Sequence, residues 1–212
     1  MPAWPEARLA LVEIARTSLS VGEGFSYRLR ATGLPGDKAY RLEVRRLDGG
    51  AGRMPIGTLH VDAADRLVTE RGFRLEQHVL GTGPVLRGEP LTLALVAEDG
   101  SGQAVARLVP APIEARGAGG CRLSLELMES TGNTFAVRGE GFEPGEEVRV
   151  LDRSGDEIVE GKRRTSPSGG FELVMLPAVV GRTGGEASIS AIGRTCSVPA
   201  LPYGWGTAME RG

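Results

Sequence analysis

The sequence predicts an all-β chain built as two tandem antiparallel β-sandwiches, and three observations carry that reading. Short apolar stretches alternate with polar residues at period two and recur about every ten residues, broken by Gly, Pro and Asp. The 32 glycines and 13 prolines make about a fifth of the 212 residues, the composition of a chain that turns often. The two halves also resemble each other in the order of their turn signals. No stretch keeps a sustained 3.6-residue period, which argues against long helices.

The strands follow in order. Leu9, Leu11 and Glu13 alternate with Ala10, Val12 and Ile14. Phe25, Tyr27 and Leu29 alternate with Ser26, Arg28 and Arg30, and Tyr40, Leu42 and Val44 with Arg41, Glu43 and Arg45. Leu91, Leu93 and Leu95 follow Gly88-Glu89-Pro90. Such strands bury one face and wet the other. The stretch Glu114-Ala115-Arg116-Gly117-Ala118-Gly119-Gly120 interrupts this pattern and reads as a short linker, with a fresh strand from Cys121. The predicted domains are residues 6–115 and 119–204.

The repeat rests on four coincidences. The first half has Tyr27-Arg28-Leu29-Arg30-Ala31-Thr32-Gly33-Leu34-Pro35-Gly36, and the second has Phe135-Ala136-Val137-Arg138-Gly139-Glu140-Gly141-Phe142-Glu143-Pro144-Gly145. Each reads as a strand, Gly-apolar, then a Pro-Gly tight turn. Gly88-Glu89 and Gly185-Glu186 each precede an alternating strand. Pro110 and Pro112 close one half as Pro199 and Pro202 close the other, where they would protect strand edges.

The second half resembles the bacterial immunoglobulin-like repeats of surface and secreted proteins. Their Gly-x-Gly-Phe-x-Pro-Gly-Glu-x-Val-x-Val run is matched by Gly139 through Val150, and Ser168-Gly169-Gly170-Phe171 fits the start of a later strand. The first half matches more weakly, with Leu34 for Phe142 and Asp37 for Glu146. The resemblance implies two tandem immunoglobulin-like β-sandwiches that space, display or bind. The Cys…Trp…Cys core of antibody domains is missing, since neither Trp lies between the cysteines.

Composition and charge exclude several classes. The net charge of −2 argues against a general nucleic-acid binder, and no apolar run approaches the ~20 residues of a membrane-spanning helix. Lys occurs only at Lys38 and Lys162, so Arg supplies nearly all the basic residues, a bias that fits a GC-rich coding sequence. Residues 1–8 lack the basic start and apolar core of a secretory signal, so the chain is either cytoplasmic or has lost a leader.

Candidate chemistry is sparse. Cys121 and Cys196 bracket the second half, and a disulfide between them would close it and imply an oxidising compartment; the alternative is two separately buried thiols. His60 and His78 lack metal-ligand spacing and suit a surface or strand-edge role. Asp62 and Asp65 form one carboxylate cluster, and Asp152, Asp156 and Glu157 another; the run Asp152-Arg153-Ser154-Gly155-Asp156 suits a hairpin with Ser154-Gly155 at its tip better than a calcium loop. No phosphate loop, nucleophile elbow or dinucleotide fingerprint is present. Arg45-Arg46 and Arg163-Arg164 would form a basic stripe or a solvated strand face. Phe25, Phe73, Phe135, Phe142 and Phe171 look like core, whereas Trp4, Tyr203 and Trp205 lie near the termini, to pack back or to make contacts.

Together these point to a non-catalytic structural or binding module of a bacterial cell envelope or extracellular assembly. It would have no cofactor, metal or catalytic residue. Its partner would be another protein, further copies of itself or a glycan, not nucleic acid. The alternatives are a carbohydrate-binding or accessory unit of a secreted enzyme and a subunit of a filament or sheath. In the polymer case residues 1–8 or 203–212 would become ordered only against another copy. The expected location is extracytoplasmic.

Overall fold

A computed structural model describes residues 1–18, 23–49 and 51–209. The protein is all-β among these residues, apart from one three-residue 3-10 turn at Leu75–Gln77. The chain forms two compact units, Met1–Val85 with Pro90–Pro110, and Leu86–Glu89 with the chain from Ala111 onward.

Unit 1 contains β1 (Arg8–Ser18), β2 (Glu23–Thr32), β3 (Ala39–Arg45), β4 (Ala51–Arg53), β5 (Leu59–Val61), β6 (Leu67–Thr69), β7 (Leu80–Pro84), β8 (Leu91–Ala97) and β9 (Gln103–Leu108). The sheet β1-β2-β7 faces the sheet β6-β5-β3-β8-β9, with β4 also paired to β3. Every recorded strand pairing is antiparallel. The alternating side chains meet between the sheets, where Leu29 and Leu80 pack with Tyr40, Leu42, Leu93 and Leu95. Each such side chain contributes roughly 1.5–3 kcal/mol on burial. Phe73, expected in this core, is 58% exposed, because it sits in the turn after β6 rather than on an inward strand face.

Unit 2 contains β10 (Ile113–Arg116), β11 (Arg122–Leu127), β12 (Phe135–Glu140), β13 (Glu147–Ser154), β14 (Glu157–Arg164), β15 (Phe171–Met175), β16 (Gly184–Ile192) and β17 (Ser197–Gly206). Its sheets run β10-β11-β12-β15 and β14-β13-β16-β17. Leu123, Leu125, Phe135 and Val137 from the first sheet are buried, as are Val148, Ile189, Val198 and Leu201 from the second. Numbered from its first long strand, each unit joins strands one, two and five in one sheet and four, three, six and seven in the other, with β4–β6 standing in unit 1 where β14 stands in unit 2. The molecule is thus two tandem immunoglobulin-like sandwiches.

The glycine-rich stretch is not a free linker. Ile113–Arg116 pairs with β11, and Gly117 to Gly120 form the hairpin turn between them. Gly117 and Gly119 lie where a Cβ would meet Ser197 and Cys196, so close approach demands glycine there. The repeat signals fare unequally. Gly33 (φ +69) backs onto Glu6 and Ala7 as Gly141 (φ +73) backs onto Gly120 and Cys121, each just before its unit's first long strand. Leu34 and Phe142, the next residues, are both buried. By contrast, Gly88-Glu89 lies in a turn whereas Gly185-Glu186 lies inside β16. Pro199 and Pro202 sit on the edge strand β17, but Pro110 and Pro112 fall between β9 and β10.

Candidate functional site

The residues that first suggest chemistry are engaged in building the fold. Cys121 and Cys196 form a disulfide with a Cα–Cα distance of 6.1 Å. It joins the start of β11 to the turn before β17, and neither sulfur is a thiol nucleophile in this state. His60 is exposed on β5, and His78 lies edge-on to Phe73 at 6.4 Å. Asp62 accepts from the Arg66 guanidinium at 2.9 Å and from the Ala64 and Arg66 backbone N–H groups, which together hold its carboxyl below the ordinary range. Asp152 accepts from the Tyr203 hydroxyl at 2.7 Å. The hairpin that follows has Gly155-Asp156 at its tip, one residue beyond the expected Ser154-Gly155, because Ser154 pairs with Glu157.

One carboxylate that sequence reasoning passed over is deeply buried. Glu146, the acidic residue of the Pro-Gly-Glu run, is 4% exposed. Its two oxygens accept from the Glu143 N–H and the Arg194 N–H, each at 2.7 Å. It therefore staples the Pro144-Gly145 turn to the loop before β17. The spacing of the run was a signal for a turn, but only the fold brings Arg194 to it.

The Arg pairs separate. Arg45 donates to Glu43 and Gln103, and Arg46 to the Pro84 carbonyl, so both are half-buried within unit 1. Arg41 and Arg53 share Glu98, and Arg41 also donates to Glu43. This is a neutralised strand face, not a basic stripe. Arg163 and Arg164 are exposed on β14.

The terminal aromatics pack back on their own units. The Trp4 ring meets Tyr40 edge-on at 5.7 Å, and the backbone of residues 2–4 bonds to Gln103. Tyr203 and Trp205 are both 3% exposed within β17, and Tyr203 stands edge-on to Phe135 at 5.3 Å. Neither is available for contact, so neither could serve as an aromatic platform for a carbohydrate. Residues 2–4 and 203–205, within the segments that the polymer alternative has ordered against another copy, thus pack within this chain; residues 210–212 lie outside the described residues.

Each sandwich has an open groove on one side. In unit 2 the edge strands β14 and β15 flank a groove of about 200 Å³ lined by Val150, Val159, Leu173 and Leu176, with Asp152 and Arg163 among its polar residues. Val159 and Leu176 are 64% and 69% exposed, and Ile158 and Val174 are exposed beside them. Unit 1 has a groove of about 410 Å³ at the corresponding place, between β4 and β7, lined by Leu11, Tyr27, Val44 and Leu80 with Arg46 and Arg53.

No protein-family model and no curated protein matches the chain. Many solved structures are similar to it, two of which show the range. One is a tetra-tandem repeat from the extending region of a large adhesion protein, at 12% identity and a TM-score of 0.30 over 97% of this chain. The chain spans about half of that structure, 49%. The other is the chicken interferon gamma receptor alpha chain, at 12% identity and a TM-score of 0.30 over 93% of this chain and 99% of that one. Overlap at this level assigns neither a family nor a partner.

Proposed function

We propose that this chain is a non-catalytic structural or binding module of a bacterial cell envelope or extracellular assembly, acting through protein–protein contacts. The observation that carries the reading is the open side of unit 2, where apolar residues of two edge strands stand exposed around a groove. Edge strands with unpaired backbone groups and apolar side chains are ready templates for another chain. The disulfide supports an oxidising compartment. The resemblance to bacterial immunoglobulin-like repeats belongs to the same proposal. It is supported by the structural task each part of the run performs, with Phe142 in the core, Pro144-Gly145 in the turn and Glu146 stapling it.

The test is photo-cross-linking in the producing bacterium from a reactive side chain placed at Val159 or Leu176. Glu114, exposed on the far edge strand of the first sheet, serves as the control position. Protein adducts specific to the first two positions are expected. Adducts absent there, or equal at Glu114, would overturn the reading.

A further inference from the structure

We propose that the partner of the β14 edge is a second copy of this chain, the two β14 strands pairing antiparallel about Gly161. This rests on the reading of the chain as a protein-contact module and names its partner. β14 is the terminal strand of its sheet, and seven of its eight residues are exposed. Its outer edge has no strand partner among the described residues.

Two independent observations select a second copy. The first is the charge order along the strand. Glu157 and Glu160 precede Lys162, Arg163 and Arg164. A strand acidic at one end and basic at the other attracts itself only when antiparallel. The second is Gly161. It has an ordinary φ, and a Cβ added there would meet nothing within 4 Å. Neither backbone nor packing inside unit 2 asks for glycine, and glycine weakens a strand interior. Such glycines mark a bulge, a bend or a close approach by another backbone, and β14 pairs with β13 without a register shift.

The hairpin sets the register. Its two-residue turn is closed by the pair Ser154–Glu157; the closing pair of a two-residue hairpin is hydrogen-bonded, so hydrogen-bonded pairs alternate from there along β13 and β14. The backbone groups of Ile158, Glu160, Lys162 and Arg164 are left facing outward. Pairing these rows around Gly161 sets Glu160 opposite Lys162 of the second copy, twice by symmetry. Gly161 falls on the two-fold axis as a non-hydrogen-bonded pair, the kind in which Cα atoms approach to ~4.5 Å. Shifting the register by one pair either way puts Glu160 opposite Glu160, or Lys162 opposite Lys162, at the axis. Within one copy Glu160 lies 3.5 Å from Arg149, and Lys162 lies 2.8 Å from Glu147. The paired strands would thus give each Glu160 a second cation, Lys162 of the other copy. Ile158 and Val159 would meet the aliphatic stems of Arg164 and Arg163 of the second copy.

The experiment is sedimentation of the intact, oxidised chain over a concentration series into the millimolar range, with circular dichroism confirming the fold of each variant. The wild type forms a dimer. Lys162→Glu and Glu160→Lys each weaken dimerisation by about tenfold, since each sets like charges opposite at two symmetric positions. The double variant Glu160→Lys/Lys162→Glu restores it. A wild type that stays monomeric throughout, or a dimer indifferent to the single reversals, overturns the proposal. A monomer that still cross-links to a different protein from Val159 overturns this proposal while leaving the protein-contact reading intact.

Discussion

The Tyr203 hydroxyl donates to the Asp152 carboxylate at 2.7 Å, from the edge strand β17 across β16 to β13. Burial is the main cause that raises Asp152 above its ordinary 3.8, with the Tyr203 bond opposing it. Burial also drives the Tyr203 phenol well above its usual range. A carboxyl raised in the fold binds its proton more tightly folded than unfolded. Its contribution to stability therefore falls as pH rises from 3.8 through the folded value.

Two variants separate the parts of this pair. Asp152→Asn removes that decline and leaves unit 2 at least as stable at neutral pH. Tyr203→Phe costs about 1 kcal/mol at neutral pH, because a half-buried carboxylate loses its donor. The same change costs less at acid pH, where the carboxyl is protonated. Urea unfolding at two pH values reads both effects.

Reduction of Cys121–Cys196, or its replacement by alanines, destabilises unit 2 alone. The bridge closes a loop with a sequence separation of 75. The chain-entropy model gives about 4 kcal/mol for a loop of that size. Denaturation with and without reductant should show one transition moving and the other staying.

Glu146→Ala removes two charge-assisted acceptors from a buried turn and costs about 3 kcal/mol. Glu146→Gln does not rescue it. Both oxygens face N–H donors, and an amide nitrogen would be set against one of them. Thermal unfolding of both variants checks this.

In unit 1 the Arg41 guanidinium, helped by Arg45, holds Glu43 below its ordinary 4.5 against the opposing effect of burial. A depressed carboxyl contributes stability that is present above 4.5 and is lost as pH falls through the folded value. Unit 1 should lose stability below that point. Arg41→Ala should flatten the acid limb, as read by unfolding across an acid pH series.

The fold class was legible because period-two alternation is local, and β2, β3 and β8 begin and end close to their patterns. Other features depend on pairing, which local pattern does not carry. Gly117 to Gly120 read as a linker, since a hairpin turn and a spacer use the same residues. For Tyr203 and Trp205 the sequence left packing back and outside contact open, because their burial follows from β17 pairing along β16. Phe73 reads as core in sequence, yet a turn lifts it into solvent. Arg45-Arg46 and Arg163-Arg164 look alike in sequence, but one pair is tied down within unit 1 and the other lies on an edge. Edges are a property of topology, so the open side of unit 2 could not be read from residues 157–176 alone.

Photo-cross-linking from Val159 in the cell that produces the protein tests the central claim most directly. The account predicts protein adducts from Val159 and Leu176, none specific to Glu114, and loss of the Val159 adduct to a second copy in Lys162→Glu. A chain that yields no adduct from either position at native levels, while folded and disulfide-bonded, would contradict it.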